Sequence, residues 1–189
     1  MLLLIVGLLV FFAPHLFTIA RERRTAVIAK VGEGAYKGLY SLVSAIGLVL
    51  IVLGWGQAAF VPVWNPPAGF RHLALPLVLL AFILLAAAYI PGKIQAWTKH
   101  PMLAAVKIWA LAHLLANGDL AGMLLFGSFL AFGVIDRIAV KRRERIEGAP
   151  ARGGPVRNDV FAVAAGTVAF LVFALYLHPQ VIGRSVIPM

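Results

Sequence analysis

Hydrophobic stretches of 16 to 19 residues recur six times along the chain, separated by short polar or charged segments. The hydrocarbon core of a membrane is about 30 Å thick and needs about 20 apolar residues per helix, somewhat fewer in a thin bundle. The pattern therefore predicts an all-α, polytopic membrane bundle of six transmembrane helices, forming one domain over residues 1–189. The predicted spans are 2–20, 39–56, 72–90, 101–116, 120–135 and 159–177.

The segments between the spans carry the signals that end helices. A charge run at 21–24 ends the first span, whose apolar run has no positive residue before it, so we interpret this span as a retained helix rather than a secretory signal. The proline-rich stretch 57–70 suits a membrane interface. Asn117-Gly118-Asp119 predicts a tight turn between two short antiparallel helices. Gly, Pro and Arg interleaved over 147–157 predict a flexible cytoplasmic loop.

The positive charges predict the orientation of the bundle. Fourteen of the 17 lysines and arginines lie between spans one and two, three and four, or five and six, which alternate to one side. The positive-inside rule places these loops in the cytoplasm and both termini on the periplasmic side of the inner membrane. Arg71 falls on the outer side, as does Arg184 in a short tail marked by Pro179 and Pro188, while Lys107 lies within span four. The net charge of +10 is therefore mainly a topology signal with attraction to anionic lipid, and we expect no nucleic-acid partner.

Composition narrows the possible chemistry. With 62% hydrophobic and 13% charged residues, the chain has too little polar surface for a water-soluble globule. It contains no cysteine, which excludes disulfides, thiolate ligands and cysteine nucleophiles. Five histidines and four methionines remain as ligands for a soft metal.

Two histidines lie within predicted spans, where ionisable groups are costly and usually face the bundle interior. His15 follows Pro14, which can bend span one and direct the imidazole inward; a hydrogen bond to a nearby carbonyl is the alternative. His113 shares a helix face with Trp109 and Asn117, four residues away on either side. Small residues around it allow either a neighbouring helix or a flat ring to approach closely.

Two imidazoles on different helices of an apolar bundle can ligate a b-type haem. The pattern thus suggests a site for haem b, with His15 and His113 as candidate ligands and with Lys107 and Arg71 as candidate partners of the propionates. Phe11 and Trp109 are the candidate pocket walls. The alternatives are histidines that bond only to backbone groups, and a lysine that reaches the cytoplasmic interface.

His100, which precedes the proline that begins span four, is an alternative iron ligand. This alternative arises because His15 and His113 differ in depth along their helices by roughly 10 Å. A zinc site would need a third close ligand, and a transporter would favour interrupted spans in symmetric halves, which the sequence lacks.

Several motifs resemble the NnrU family of bacterial membrane proteins, and the match covers nearly the whole chain. They are Lys-His-Pro-Met at 99–102, Ala-Leu-Ala-His-Leu-Leu-Ala-Asn-Gly-Asp at 110–119, Tyr-Lys-Gly-Leu-Tyr-Ser-Leu at 36–42 and Arg-His-Leu-Ala at 71–74. The family is associated with denitrification, near nitrite and nitric oxide reductase functions. The resemblance thus implies a redox factor that supports those reactions.

The same region is distantly similar to plant 15-cis-zeta-carotene isomerase. That similarity implies a haem b protein with axial ligands at the positions of His15 and His113, which isomerises a polyene when its iron is reduced. The chain has Ala110 where the plant motif has cysteine and Met102 where it has a polar residue, so a thiolate ligand is impossible. We expect a haem-dependent isomerase acting on a hydrophobic polyene or a factor with a redox partner; the alternative is a non-enzymatic membrane factor or small-molecule transporter without haem.

Overall fold

A computed structural model describes residues 1–183, apart from the side chain of residue 68. Over these residues the fold is all-helical, and the only β-pairing in this range is an isolated bridge between Pro62 and Asp119, which confirms the all-α part of the predicted fold class. Arg184 and Pro188, on which the predicted outer charge and tail partly rest, lie outside the described residues. The helices are α1 (Leu2–Phe17), α2 (Arg21–Val31), α3 (Glu33–Gly56), α4 (Ala68–Tyr89), α5 (Lys93–Thr98), α6 (Pro101–Ala116), α7 (Leu120–Glu147), α8 (Val156–Val172), a π-helical turn (Phe173–Leu177) and α9 (His178–Ile182).

Four helical segments of the described chain are long and apolar enough to cross a membrane: α3, α4, α7 and the continuous stretch from α8 through α9. A fifth candidate is the pair α1 and α2, which bend by 89° where they meet. The predicted fourth span, α6, is apolar but has 16 residues, about 24 Å of helix. A multi-pass membrane protein is therefore confirmed, with four or five helical segments of the described chain that meet the length and apolarity needed to span, while the prediction of six spans stays a prediction.

The first helix ends before the predicted end of the first span, residue 20. Pro14 does not end α1, which runs on to Phe17; a proline this close to the end of the helix removes only one backbone hydrogen bond. The sharp change of direction follows at residues 18–20, where the backbone N–H groups of Ile19 and Ala20 donate to carbonyls only three residues back. The charge run 21–24, predicted as a loop, forms the first turn of α2.

The fifth predicted span is the start of a longer helix. α7 continues past residue 135 to Glu147, so the basic run after the apolar segment is helical. It begins at the predicted tight turn, where Asp119 accepts a hydrogen bond from the backbone N–H of Gly122 at 3.0 Å. Asp119 is only 4% exposed and acts as the N-cap of α7.

The chain separates into two compact units, of which the first is Met1–Val61. In unit 1, α1 packs along α3 in antiparallel fashion through glycines. Gly54 faces the backbone of Leu4, and Gly47 faces the backbone of Phe11. Glycine at these contacts lets two helix backbones approach more closely than side chains would allow.

Unit 2 begins at Pro62. Its α4 packs against both α6 and α8, and α7 packs against α6. Ala81 and Leu84 of α4 form a buried cluster with Ala105 of α6. The loop before α4 is held to the turn after α6, since the backbone N–H groups of Val63 and Trp64 both donate to the carbonyl of Gly118. α4 and α6 are therefore antiparallel, and the start of α4 lies at the same end of unit 2 as the end of α6.

Candidate functional site

His15 lies in the last turn of α1, in unit 1, and is partly exposed. Its Nδ1 is 2.6 Å from the carbonyl oxygen of Phe11, one turn earlier. The imidazole stacks on the Phe11 ring at 4.2 Å between centroids, and the ring of Tyr40 from α3 lies 5.2 Å away. The helix and its partner α3 thus hold the ring on two sides.

His113 lies in the last turn of α6, in unit 2, and is also partly exposed. Its Nδ1 is 2.8 Å from the carbonyl oxygen of Trp109, again one turn earlier. The imidazole stacks on Phe126 of α7 with 4.4 Å between centroids, and the Trp109 ring is 5.1 Å away. The turn between α6 and α7 is what brings Phe126 to this face of α6.

The two histidines therefore have the same local arrangement in separate units. Each follows an aromatic residue by four positions and places Nδ1 at that residue's carbonyl oxygen. The carbonyl of each histidine accepts a further side-chain hydrogen bond, from Oγ1 of Thr18 at 2.6 Å and from Nδ2 of Asn117 at 2.8 Å. A carbonyl oxygen can only accept, so Nδ1 carries the proton and the lone pair of each neutral ring is on Nε2.

The other predicted site residues fall at different places. Phe11 and Trp109 lie beside their histidines, where pocket walls were predicted. The side chain of Lys107 packs against Gly133 of α7. A Cβ at position 133 would be 2.8 Å from Cγ of Lys107. Arg71 is exposed in the first turn of α4, at the end of unit 2 that also carries His113.

The small residues of α6 serve helix packing. Ala105, Ala110 and Ala112 are all at least 97% buried, and Ala105 contacts α4 directly. Of the two uses predicted for these residues, close approach of a neighbouring helix is the one seen at Ala105.

A further histidine belongs to the same unit as His113. The π-helical turn Phe173–Leu177 ends at His178, whose ring is 6.0 Å from that of Phe173 in a T-shaped contact. His178 is partly buried among exposed neighbours and is near enough to His113 for the two rings to interact electrostatically. π-helical turns are uncommon and often occur at functional sites.

His100 lies at the opposite end of α6, in a cluster of charged side chains. Its Nε2 is 3.0 Å from Oε1 of Glu144, a contact that becomes an ion pair when His100 is protonated. Nη2 of Arg152 donates to the same Oε1 at 2.5 Å, and Nη1 of Arg137 is 3.9 Å from Oε2. Burial is the largest influence on His100 and lowers its pKa; the contact with Glu144 opposes this, while Arg152 and Arg137 add to it.

The cluster and nearby backbone contacts hold the segment that was predicted to be a flexible loop. Besides the Arg152 ion pair, the backbone N–H of Gly153 donates to Oε1 of Gln95 at 3.3 Å. The carboxylate of Asp159 accepts hydrogen bonds from the first two backbone N–H groups of α5. Residues 152–159 are therefore tied to α5 and α7.

Sequence reasoning missed the residues contributed by neighbouring helices. Tyr40 and Phe126 contact the two histidines, and Glu144 and Arg152 surround His100, yet none lies near its partner in the sequence. The position of Phe126 in the sequence could indicate a contact with His113 only in combination with the antiparallel turn predicted at 117–119, which places the two helices side by side.

Among the described residues no group of three or more histidine, aspartate or glutamate side chains converges to hold a metal ion. No curated protein and no solved structure shows significant similarity to this chain. Residues 3–186 match the family described as NnrU protein. With nearly its whole length matched, this chain belongs to the NnrU family.

Proposed function

We propose that this protein binds haem b in the inner membrane, with His113 and His15 as iron ligands. The observation that carries the proposal is the hydrogen bond from Nδ1 of each histidine to the carbonyl oxygen one turn earlier. Histidines that ligate metals commonly donate their other ring N–H to a carbonyl or carboxylate, which fixes the tautomer and the ring orientation. Each histidine has this arrangement within its own unit, so each is proposed on its own evidence.

The surroundings of His113 suit a flat apolar ligand. Phe126 stacks on the imidazole and the tilted Trp109 ring lies beside it, so we assign Nε2 as the nitrogen that binds the metal. His113 as a residue is only partly buried, which is compatible with a ligand at this position. Aromatic faces beside a porphyrin would also keep water from the bound iron.

Arg71 is the better placed of the two candidate partners for a propionate of haem bound at His113. It is exposed at the same end of unit 2 as His113. Lys107 is six residues before His113, about 9 Å along α6, and its stem is engaged against Gly133. We therefore propose Arg71 for the propionate and a packing role for Lys107.

We also propose that all six predicted segments cross the membrane, with both termini on the periplasmic side. α6 packs along α4 and joins α7 by a tight turn, and both of those partners are long enough to span. α1 packs along α3, with Leu4 at Gly54 and Phe11 at Gly47, and its 16 residues extend over about 24 Å of the roughly 30 Å core. Helices of 16 residues can cross where the bilayer thins locally.

Haem binding is tested on purified protein by absorbance spectroscopy of the oxidised and reduced forms. We expect a Soret band and a reduced-state α band, which His113→Ala shifts or weakens and added imidazole restores. His15→Ala is expected to act likewise, whereas His72→Ala, which changes an exposed histidine of α4, leaves the spectrum unchanged. A protein that stays colourless with added haem would refute the proposal. Loss of the bands in His178→Ala but not in His15→Ala would replace His15 by His178.

Bound haem supplies a redox-active iron, which serves either polyene isomerisation or electron transfer in nitrogen-oxide reduction. The two roles are separated by incubating the reduced protein with tri-cis-zeta-carotene in detergent. Conversion of the isomer that disappears in His113→Ala supports the isomerase. If a haem-loaded, reducible protein converts none of the isomer, the redox factor is supported. Such a result would agree with Ala110, which leaves the chain without the thiol of the plant motif.

A further inference from the structure

Helix α2 stands apart from the rest of unit 1. It bends by 89° from α1, and none of its residues is buried. Arginine and lysine occupy four of its 11 positions, against a single acidic residue, Glu22. Such a helix is too polar for hydrocarbon, since every cation would lose its hydration there.

The contacts of α2 with α3 give the helix a fixed face. The guanidinium of Arg24 lies over the ring of Tyr36, 5.4 Å from its centroid. Val27 and Ile28 are partly buried on the same side, whereas Arg23 and Lys30 are exposed. Because they are seven residues apart, Arg23 and Lys30 share one stripe of the helix surface.

The junction after α2 is also built for a change of direction. Gly32 has φ of +84°, a conformation that residues with a side chain rarely adopt. The chain thus leaves α1 at a right angle, runs through α2 and turns again into the membrane-spanning α3. If α1 and α3 run across the membrane, α2 runs along its surface.

We infer that α2 lies in the membrane surface and binds the headgroups of anionic phospholipids through Arg23 and Lys30. Charge complementarity selects this partner, because basic residues at a membrane surface are attracted to anionic lipid and gain nothing comparable from zwitterionic lipid. Val27 and Ile28 are half-buried on the side of α2 that carries Arg24 and faces α3, which leaves Arg23 and Lys30 exposed to the headgroups. The binding is independent of haem.

The absence of cysteine from the chain makes the test direct. A spin label is attached to Ala26→Cys, an exposed position of α2, and the full-length protein is placed in nanodiscs of phosphatidylcholine with increasing phosphatidylglycerol. We expect the label to lie at headgroup depth and to become immobilised as phosphatidylglycerol is added. The double variant Arg23→Gln/Lys30→Gln should lower the apparent association constant of α2 for phosphatidylglycerol at least tenfold, as expected for the loss of two interfacial cations.

The matched control is Lys141→Gln/Arg142→Gln, which removes the same charge from exposed positions of α7. The control should leave the α2 label unchanged, whereas an equal effect would show general charge attraction and overturn the assignment. A label in the hydrocarbon, reached by oxygen and not by a water-soluble nickel complex, would make α2 part of a re-entrant segment. Equal mobility in both lipids would exclude anionic-lipid binding.

Discussion

The close packing of α1 on α3 predicts that Gly54→Ala destabilises unit 1. A Cβ at this position would be 2.3 Å from the backbone nitrogen of Leu4, about 1 Å short of ordinary van der Waals contact. Backbone atoms cannot rotate away, so the helices must separate by about that distance. A dispersion contact between two atoms contributes ~0.15 kcal/mol, and a gap of 0.5–1 Å removes about a quarter to a half of it. If about 20 to 40 atom pairs between α1 and α3 are affected, the free energy of unfolding falls by roughly 1–3 kcal/mol.

Gly38→Ala is the matched control on the same helix, because a Cβ there meets nothing within 4 Å. Alanine is the better helix former, so this variant should be neutral or more stable by up to about 1 kcal/mol. Reversible unfolding by SDS in mixed micelles, followed by circular dichroism, gives both free energies of unfolding. Equal stability of the two variants would show that α1 and α3 do not pack through Gly54, and the reasoning would fail.

Three further outcomes follow from unit 2. Asp119→Ala should lower the free energy of unfolding by about 1–2 kcal/mol in the same SDS titration, because α7 loses its N-cap, while Asp119→Asn should retain most of it. Arg152→Gln should speed cleavage of the 148–155 segment by proteinase K severalfold, because it breaks the ion pair with Glu144; an unchanged rate, or the same increase in Lys141→Gln, would contradict this. The pKa of His100 is lowered in the folded protein, so the unfolded chain binds the proton more readily and the free energy of unfolding should fall as pH drops below the ordinary value of 6.5. Melting temperatures measured from pH 5 to 8 should therefore depend less on pH in His100→Gln. The same pH dependence in both proteins would refute this.

The hydrophobic stretches and the turn residues between them were enough to predict most helices of this protein. The bounds of α6 match the predicted span, and the turn at 117–119 lies where Asn-Gly-Asp predicted it. What composition could not predict is how far helices continue into polar sequence. α7 extends to Glu147 because a helix already anchored in the membrane needs only compatible residues to propagate, and its basic residues have high helix propensity.

The candidate site was predictable only one helix at a time. His113 and Trp109 are four residues apart, so their contact followed from helix geometry. Phe126 depends on how α7 rotates about its own axis, which tertiary packing decides. The same holds for His100: its position before Pro101 indicated a helix start, but its contact with Glu144 requires both helices to be in place.

The hydrogen bond from Nδ1 of His113 ends on a main-chain atom. In metal sites oriented by aspartate, one substitution removes the orienting group, but no substitution at Trp109 removes its carbonyl oxygen. The tautomer is therefore set by the helix itself and persists through changes in the surrounding side chains. Substitutions of the aromatic side chains around His113 therefore leave the lone pair of the neutral ring on Nε2.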